Sequence, residues 1–270
     1  MQGTTYTLIT GASSGIGKAI AWYCGSLKMN LLLISLPDEG LQKVAMEIHD
    51  KYRVETEFFE TDLGKLNSAD EIFQWTVRNN YSINILINNA GLAGTSIFEL
   101  SDIKYNDDRI MVNIRALVLL TRLFLPVLKE HKKSYILNIG SLSAFFAIPY
   151  KSVYSSTKAF VVNFSRAIRY ELKNSSISIS VVCPNGVRTN TGTNSRIDAH
   201  GFIGRLTTIS PQLVAKIAVD EMLKGKFLII PGFLNQLLLI LQKIIPVGLQ
   251  QKILVREFLK EVKANSDIHP

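Results

Sequence analysis

Along the chain, short runs of Val, Ile and Leu alternate with longer segments in which apolar residues return every three or four positions. The short runs lie at Tyr6–Thr10, Asn30–Ser35, Val54–Glu60, Ile83–Ile87, Tyr135–Gly140, Ile177–Cys183 and Lys226–Ile230. Their length and β-branched content suit strands. Several are apolar almost without a break, as in Leu31-Leu-Leu-Ile34, which suits strands covered on both faces. The periodic segments predict helices from the Gly15 region to about Leu27, over about Asp38–Lys51, over 67–79, from near Asp107 to about Leu128, from Ser152 to about Leu172, and from Ser210 to Gly225. Ser210-Pro211 is a helix start, because serine caps free amides and proline is tolerated in the first turn. Strand and helix alternate throughout. The expected fold is therefore α/β, a doubly wound parallel seven-stranded sheet in one domain over residues 1–231. Residues 190–209 are polar and aperiodic, and the expectation is a lid near 190–210.

Beyond Pro231 the pattern changes. Phe233–Ile245 reads as a helix on which Asn235, Gln236, Gln242 and Lys243 share an arc of about 120°, with most leucines and isoleucines opposite. Pro246-Val247-Gly248 is expected to break it, and a second amphipathic helix runs to about Lys263. This C-terminal helical extension, 232–270, is expected to lay its apolar face on the protein's own body or on a subunit partner. A membrane surface, met through 233–263, is the alternative.

Composition narrows the class. With 47% apolar residues, 270 residues can bury a sizeable core. A net charge of +8 suits an anionic ligand or an anionic surface. No nucleic-acid motif or dense basic stripe is present, so nucleic acid is not an expected partner. The two cysteines, Cys24 and Cys183, exclude a cysteine-rich zinc site and read as small buried apolar residues of a reducing compartment. No metal is expected. Met1–Thr5 leads straight into the first strand, so no signal peptide is expected. No uncharged apolar run of 18 residues exists, so no spanning helix is expected either. A cytoplasmic location follows as the expectation.

Two stretches carry chemistry. Gly11-Ala-Ser13-Ser14-Gly15-Ile16-Gly17 joins a strand to a helix. Glycines there let the backbone approach a phosphate, and the free amides at the positive helix end hold its charge. Tyr154 and Lys158 are four apart and share one helix face. Lowering a tyrosine pKa from about 10 to about 7 requires roughly 4 kcal/mol of preference for the phenolate. An ammonium about 4 Å away, at an effective dielectric near 20, supplies on the order of 4 kcal/mol. Of nine tyrosines, only Tyr154 has a lysine four residues on. Ser141, in the loop ahead of this helix, can offer a hydroxyl to the same substrate oxygen.

In order, Thr10-Gly11-x3-Gly15-x-Gly17, Asp62, Asn88-Asn89-Ala90-Gly91, Asn113, Ser141, Tyr154-x3-Lys158 and Pro184-x-x-Val187-x-Thr189 resemble the short-chain dehydrogenase/reductase family, over roughly residues 4–231. The resemblance implies a Rossmann-type fold, a nicotinamide cofactor and reversible hydride transfer between it and a carbonyl or alcohol. It implies that Tyr154 is the general acid/base, that Ser141 polarises the carbonyl, and that Lys158 binds the nicotinamide ribose while lowering the tyrosine pKa. Asn113 would hold a water in a proton relay from Lys158. Gly11, Ser13, Ser14, Gly15, Ile16 and Gly17 would hold the pyrophosphate. Asp62 and Leu63 would flank the adenine, Asn89, Ala90 and Gly91 would pass the cofactor, and Val187 and Thr189 would fix the carboxamide. Such folds often place an acid after the second strand to take the ribose 2′-hydroxyl. Here Ser35-Leu36-Pro37 stands there, without that acid and without an arginine for a 2′-phosphate. Lys18, Ser13, Ser14 and Ser35 are left to serve, and NADP is preferred over NAD. Phe145, Phe146, Ile148 and Tyr150 lie between Ser141 and Tyr154, and Phe145 heads the expected substrate contacts. An apolar ketone or 3-oxoacyl substrate is expected, with a steroid or long-chain lipid ketone as the alternative. An inactive cofactor-binding scaffold or sensor is the contrasting reading. The family suggests a homodimer or homotetramer. One departure is Pro184-Asn185, where the family often has Pro-Gly.

Overall fold

The computed structural model describes residues 4–189 and 207–266. The strands are β1 (Thr5–Thr10), β2 (Asn30–Ser35), β3 (Thr56–Glu60), β4 (Ser82–Asn88), β5 (Ser134–Ile139), β6 (Ile177–Val182) and β7 (Leu228–Ile229). All pair in parallel, in the order β3-β2-β1-β4-β5-β6-β7. The helices are α1 (Gly15–Ser26), α2 (Leu41–Tyr52), α3 (Ser68–Arg78), α4 (Ile103–Ile110), α5 (Leu117–Lys129), α6 (Ser152–Glu171), α7 (Pro211–Leu223), α8 (Phe233–Leu241) and α9 (Val247–Ser266). One face of the sheet packs against α1, α2 and α7 through side chains such as Ile20, Val44 and Val219. The other packs against α3 and α5 through Ile72, Leu120 and Phe124. Central strands covered on both faces explain the unbroken apolar runs. This is a Rossmann-like doubly wound sheet.

Element edges differ from the sequence expectation where the backbone turns left-handed. Asp38 has φ +63° and Gly40 φ +71°, so α2 starts at Leu41 rather than Asp38. β7 is cut to two residues. A π-helical segment, Met111–Ala116, joins α4 to α5, giving one helical run, Ile103–Lys129, that is long and apolar enough to cross a bilayer. The sequence expectation excluded such a segment. Leu117, Leu120, Thr121, Phe124 and Leu128 of that run are buried, and Leu120, Phe124 and Leu128 belong to the core beneath the sheet.

The extension departs further. α8 ends at Leu241, and Pro246 sits immediately ahead of α9 instead of breaking a helix. Of its polar residues Asn235 turns towards the body: it is buried, and its Nδ2 donates to the carbonyls of Thr207 (3.2 Å) and Pro231 (2.9 Å), while Gln236 and Lys243 stay exposed. Leu239 packs on the body, but Phe233, Leu234, Leu237, Ile240, Leu241 and Ile244 are exposed, so this chain covers only part of the apolar side. The lid expected near 190–210 falls mostly on 190–206, outside the described residues.

Candidate active site

The carboxyl ends of the strands open onto a cleft of about 1350 Å³, at the point where strand order reverses between β1 and β4. Gly11, Ser13, Ser14, Gly15 and Ile16 line one end. Gly17 lies buried beneath them. A Cβ on Gly17 would stand 2.0 Å from the Gly11 carbonyl oxygen and 2.3 Å from Asn89 Nδ2, so its part is to let helix and turn close up. Asn89 fastens the turn by donating to the carbonyls of Thr10 (2.8 Å) and Gly11 (3.1 Å). Ser14 makes no side-chain cap bond, which leaves the first amides of α1 facing the cleft's anion-binding end. Gly11, Gly15 and these amides form a cradle that fits a dinucleotide pyrophosphate. Substitution Gly17→Ala should weaken NADPH binding at least about tenfold and cost about 1–3 kcal/mol of stability, because backbone rather than side chain must move. Fluorescence titration and urea unfolding check both.

Further along, Ser35, Leu36 and Glu39 line the cleft opposite Asp62, Leu63 and Lys65. Asp62 Oδ1 accepts from the Gly64 amide at 2.8 Å, and Ser35 Oγ donates to the Leu36 carbonyl at 3.0 Å. Of the residues expected to meet a 2′-phosphate, Lys18 does not line the cleft; Lys65, which the sequence did not suggest, does.

Asn89, Ala90, Gly91, Ser141, Tyr154, Lys158, Val187 and Thr189 all line the central part. Lys158 is buried, and its Nζ donates to the Ile139 carbonyl at 2.8 Å. Burial pushes its ammonium down to about 8. Nζ stands 6.0 Å from the centre of the Tyr154 ring. Ser141 Oγ accepts from the amide (3.1 Å) and the hydroxyl (2.8 Å) of Ser143. That leaves the Ser141 proton for a substrate oxygen. Ser143 also lines the cleft, and only its position two residues on could have signalled it.

Asn113 sits in the π-helical segment and is buried. Its Oδ1 accepts from the Leu92 amide (2.7 Å), and its Nδ2 donates to the Leu92 carbonyl (3.0 Å) and to Thr157 Oγ1 (3.0 Å). The side chain therefore clamps the chain leaving β4. Beneath the site, Asn88 Nδ2 donates to Asn138 Oδ1 (2.9 Å) and Thr121 Oγ1 (3.2 Å), and Asn138 Nδ2 donates to Ser165 Oγ (2.8 Å). This buried chain joins β4, β5, α5 and α6, and sequence reading missed it.

Phe145 is a correction. It closes a 3₁₀ turn, Leu142–Phe145, and packs against the cluster of Leu142, Val161 and Ile230; it does not line the cleft, whereas Phe146 and Ile148 do. Tyr150 does not line it either. The remaining wall comes from the extension: Leu238, Leu241, Ile245, Ile253, Leu254 and Phe258. Glu261, buried on α9, pairs with Lys151 Nζ at 2.9 Å and accepts from Thr95 Oγ1 at 2.5 Å. Lys151 precedes α6, so α9 is tied to the lead-in of the helix that carries Tyr154.

Residues 5–200 match the family model for short chain dehydrogenases. This chain belongs to the short-chain dehydrogenase/reductase family. The very-long-chain 3-oxoacyl-CoA reductase-B of Danio rerio is 34% identical over 188 residues, 68% of this chain and 60% of the relative. The chain thus aligns with less than two thirds of that relative's length. An NADP-dependent 3-hydroxy acid dehydrogenase of Schizosaccharomyces pombe is 34% identical over 186 residues, 67% of this chain and 71% of the relative. Among solved structures, a short-chain dehydrogenase from Sphingobium yanoikuyae in complex with NADPH superposes with TM-score 0.76 at 28% identity, covering 85% of this chain and 88% of that one. That structure shares the fold described here.

Proposed function

We propose that this protein is an NADP-dependent oxidoreductase that reduces the carbonyl of an apolar ketone or 3-oxoacyl substrate, reversibly. The observation that carries this reading is the convergence of Tyr154, Lys158 and Ser141 on one cleft whose far end is the glycine cradle. The bound nicotinamide supplies or accepts the hydride. The chain's own groups do the rest. Ser141, its oxygen held by Ser143, donates to the carbonyl oxygen as charge builds there. Tyr154 gives that oxygen its proton and is left as a phenolate, which the Lys158 cation favours. The positive charge of an oxidised nicotinamide bound there would add to this preference. Asn113 has its amide committed to Leu92 and Thr157, so a relay water beside Lys158 falls to the main chain of the π turn rather than to the Asn113 side chain.

NADP is preferred because Ser35, not a carboxylate, ends β2, and Lys65 lines the same end of the cleft. Glu39 lines it too and opposes that preference in part. The names of the two NADP(H)-linked relatives support it. The apolar wall supplied by α8 and α9, together with the Danio rerio relative's name, supports a substrate with a large apolar part.

Paired NADPH and NADH titrations, followed by a ketone and 3-oxoacyl thioester screen, test the proposal. The expected result is tighter NADPH binding and NADPH oxidation with at least one long-chain member. Tight cofactor binding with no oxidation across the screen would instead indicate a scaffold or sensor.

A further inference from the structure

Ten of the twenty-three large apolar side chains exposed among the described residues fall within 233–255. Phe233, Leu237, Ile240 and Ile244, spaced four, three and four apart, form an outward stripe; Phe233 is 77% and Ile244 73% exposed. The stripe continues into Val247 at the start of α9, 71% exposed. A helix resting on a protein in water presents the opposite face. This one is held that way round by specific bonds. Asn235 is 1% exposed and bonded to Thr207, Pro231 and Asn185, and Gln251 Nε2 donates to the Ala147 carbonyl at 3.0 Å.

Charge decides what covers it. From Phe227 to Arg256 there is no aspartate or glutamate, while Lys243, Lys252 and Arg256 are present and exposed. A second copy meeting this face about a two-fold axis would oppose these cations to one another, and the nearest carboxylate in sequence, Glu257, is already bonded to Lys260. An anionic phospholipid surface offers phosphates at the level of the cations and hydrocarbon below for the stripe. Leu241 and Ile253 are exposed and also line the cleft, so the apolar face adjoins the cleft's mouth. We propose that α8 and the start of α9 are a docking face for an anionic phospholipid surface, on which the protein lies without crossing it.

The test is sedimentation of the full chain with phosphatidylcholine vesicles, with and without phosphatidylserine. Two variants accompany it. One is Phe233→Ser, Ile240→Ser and Ile244→Ser together; the other is Lys243→Glu, Lys252→Glu and Arg256→Glu together. None of these residues lines the cleft. Wild type should bind the phosphatidylserine vesicles and bind the neutral ones less. The serine variant should lose on the order of a hundredfold in vesicle affinity, with NADPH affinity unchanged. The glutamate variant should lose its preference for phosphatidylserine. Failure of the wild type to bind either vesicle, or wild-type binding by both variants, overturns the proposal. So does a lipid-free dimer that the serine variant alone converts to monomer, which would give the face to a second copy. The assay uses neither cofactor nor substrate, so its failure leaves the oxidoreductase reading standing.

Discussion

Replacing Tyr154 with phenylalanine should lower kcat/KM for carbonyl reduction by about 10²–10⁴-fold and leave NADPH affinity unchanged. The substitution removes one hydroxyl and keeps the ring, so packing around α6 stays intact. Lys158 keeps its bond to the Ile139 carbonyl and its place beside the cofactor end of the cleft. What disappears is the proton for the substrate oxygen. Steady-state kinetics with NADPH fluorescence titration on the same preparation separate the two effects. Turnover near that of the wild type would reject Tyr154 as the acid.

The second large effect concerns Lys158. Its folded value of about 8 lies below the 10.5 of an exposed lysine, because burial disfavours the charge. Between those two pH values the unfolded chain holds the extra proton, so stability rises with pH across that window. Below about pH 8 the full cost of the buried cation is present, about 3 kcal/mol on this shift. Lys158→Met should therefore stabilise the protein by about 1–3 kcal/mol at pH 7, after the loss of the bond to Ile139 is discounted. That advantage should shrink as pH approaches 10. The same variant should lose turnover about as heavily as Tyr154→Phe, because the phenolate loses its cation. Urea unfolding at pH 7 and pH 10 measures the first effect. A Met variant less stable than wild type at pH 7 would refute the account of Lys158 as a strained, functional charge. In the wild type, carbonyl reduction should fall as pH rises through about 8, where the lysine discharges.

The parts of this protein that follow from local rules could be read in its sequence. The glycine turn, Tyr154-x3-Lys158 and the strand–helix alternation depend on neighbours within a few positions, and the structure places them where the motifs put them. The parts that depend on contacts across the chain could not. Phe145 and Phe146 are adjacent, chemically equal and both packed on the same core cluster, and only the chain's path out of the 3₁₀ turn decides which of them also meets the cleft. Asn113 was singled out, but its commitment to Leu92 and Thr157 depends on a π turn that no propensity signals. Asn138 and Ser165 look like ordinary strand and helix residues until Asn88 is placed beside them. The extension shows the limit most clearly. Its amphipathic pattern was plain, yet periodicity says only that two faces differ. The bonds made by Asn235 decide which of them looks outward.

The ion pair between Glu261 and Lys151 has one more consequence. The segment matched to the family ends at residue 200, and Ser141, Tyr154 and Lys158, to which the proposed chemistry is assigned, lie within it. Much of the apolar wall of the cleft comes from residues 238–261, outside that segment, alongside Phe146 and Ile148 within it. On the proposed function, the reacting groups and much of the substrate-facing wall would thus lie in separate stretches of the chain. Exchanging the last stretch between relatives would redirect selectivity, provided the transplant brings a carboxylate to meet Lys151 and seat the new wall.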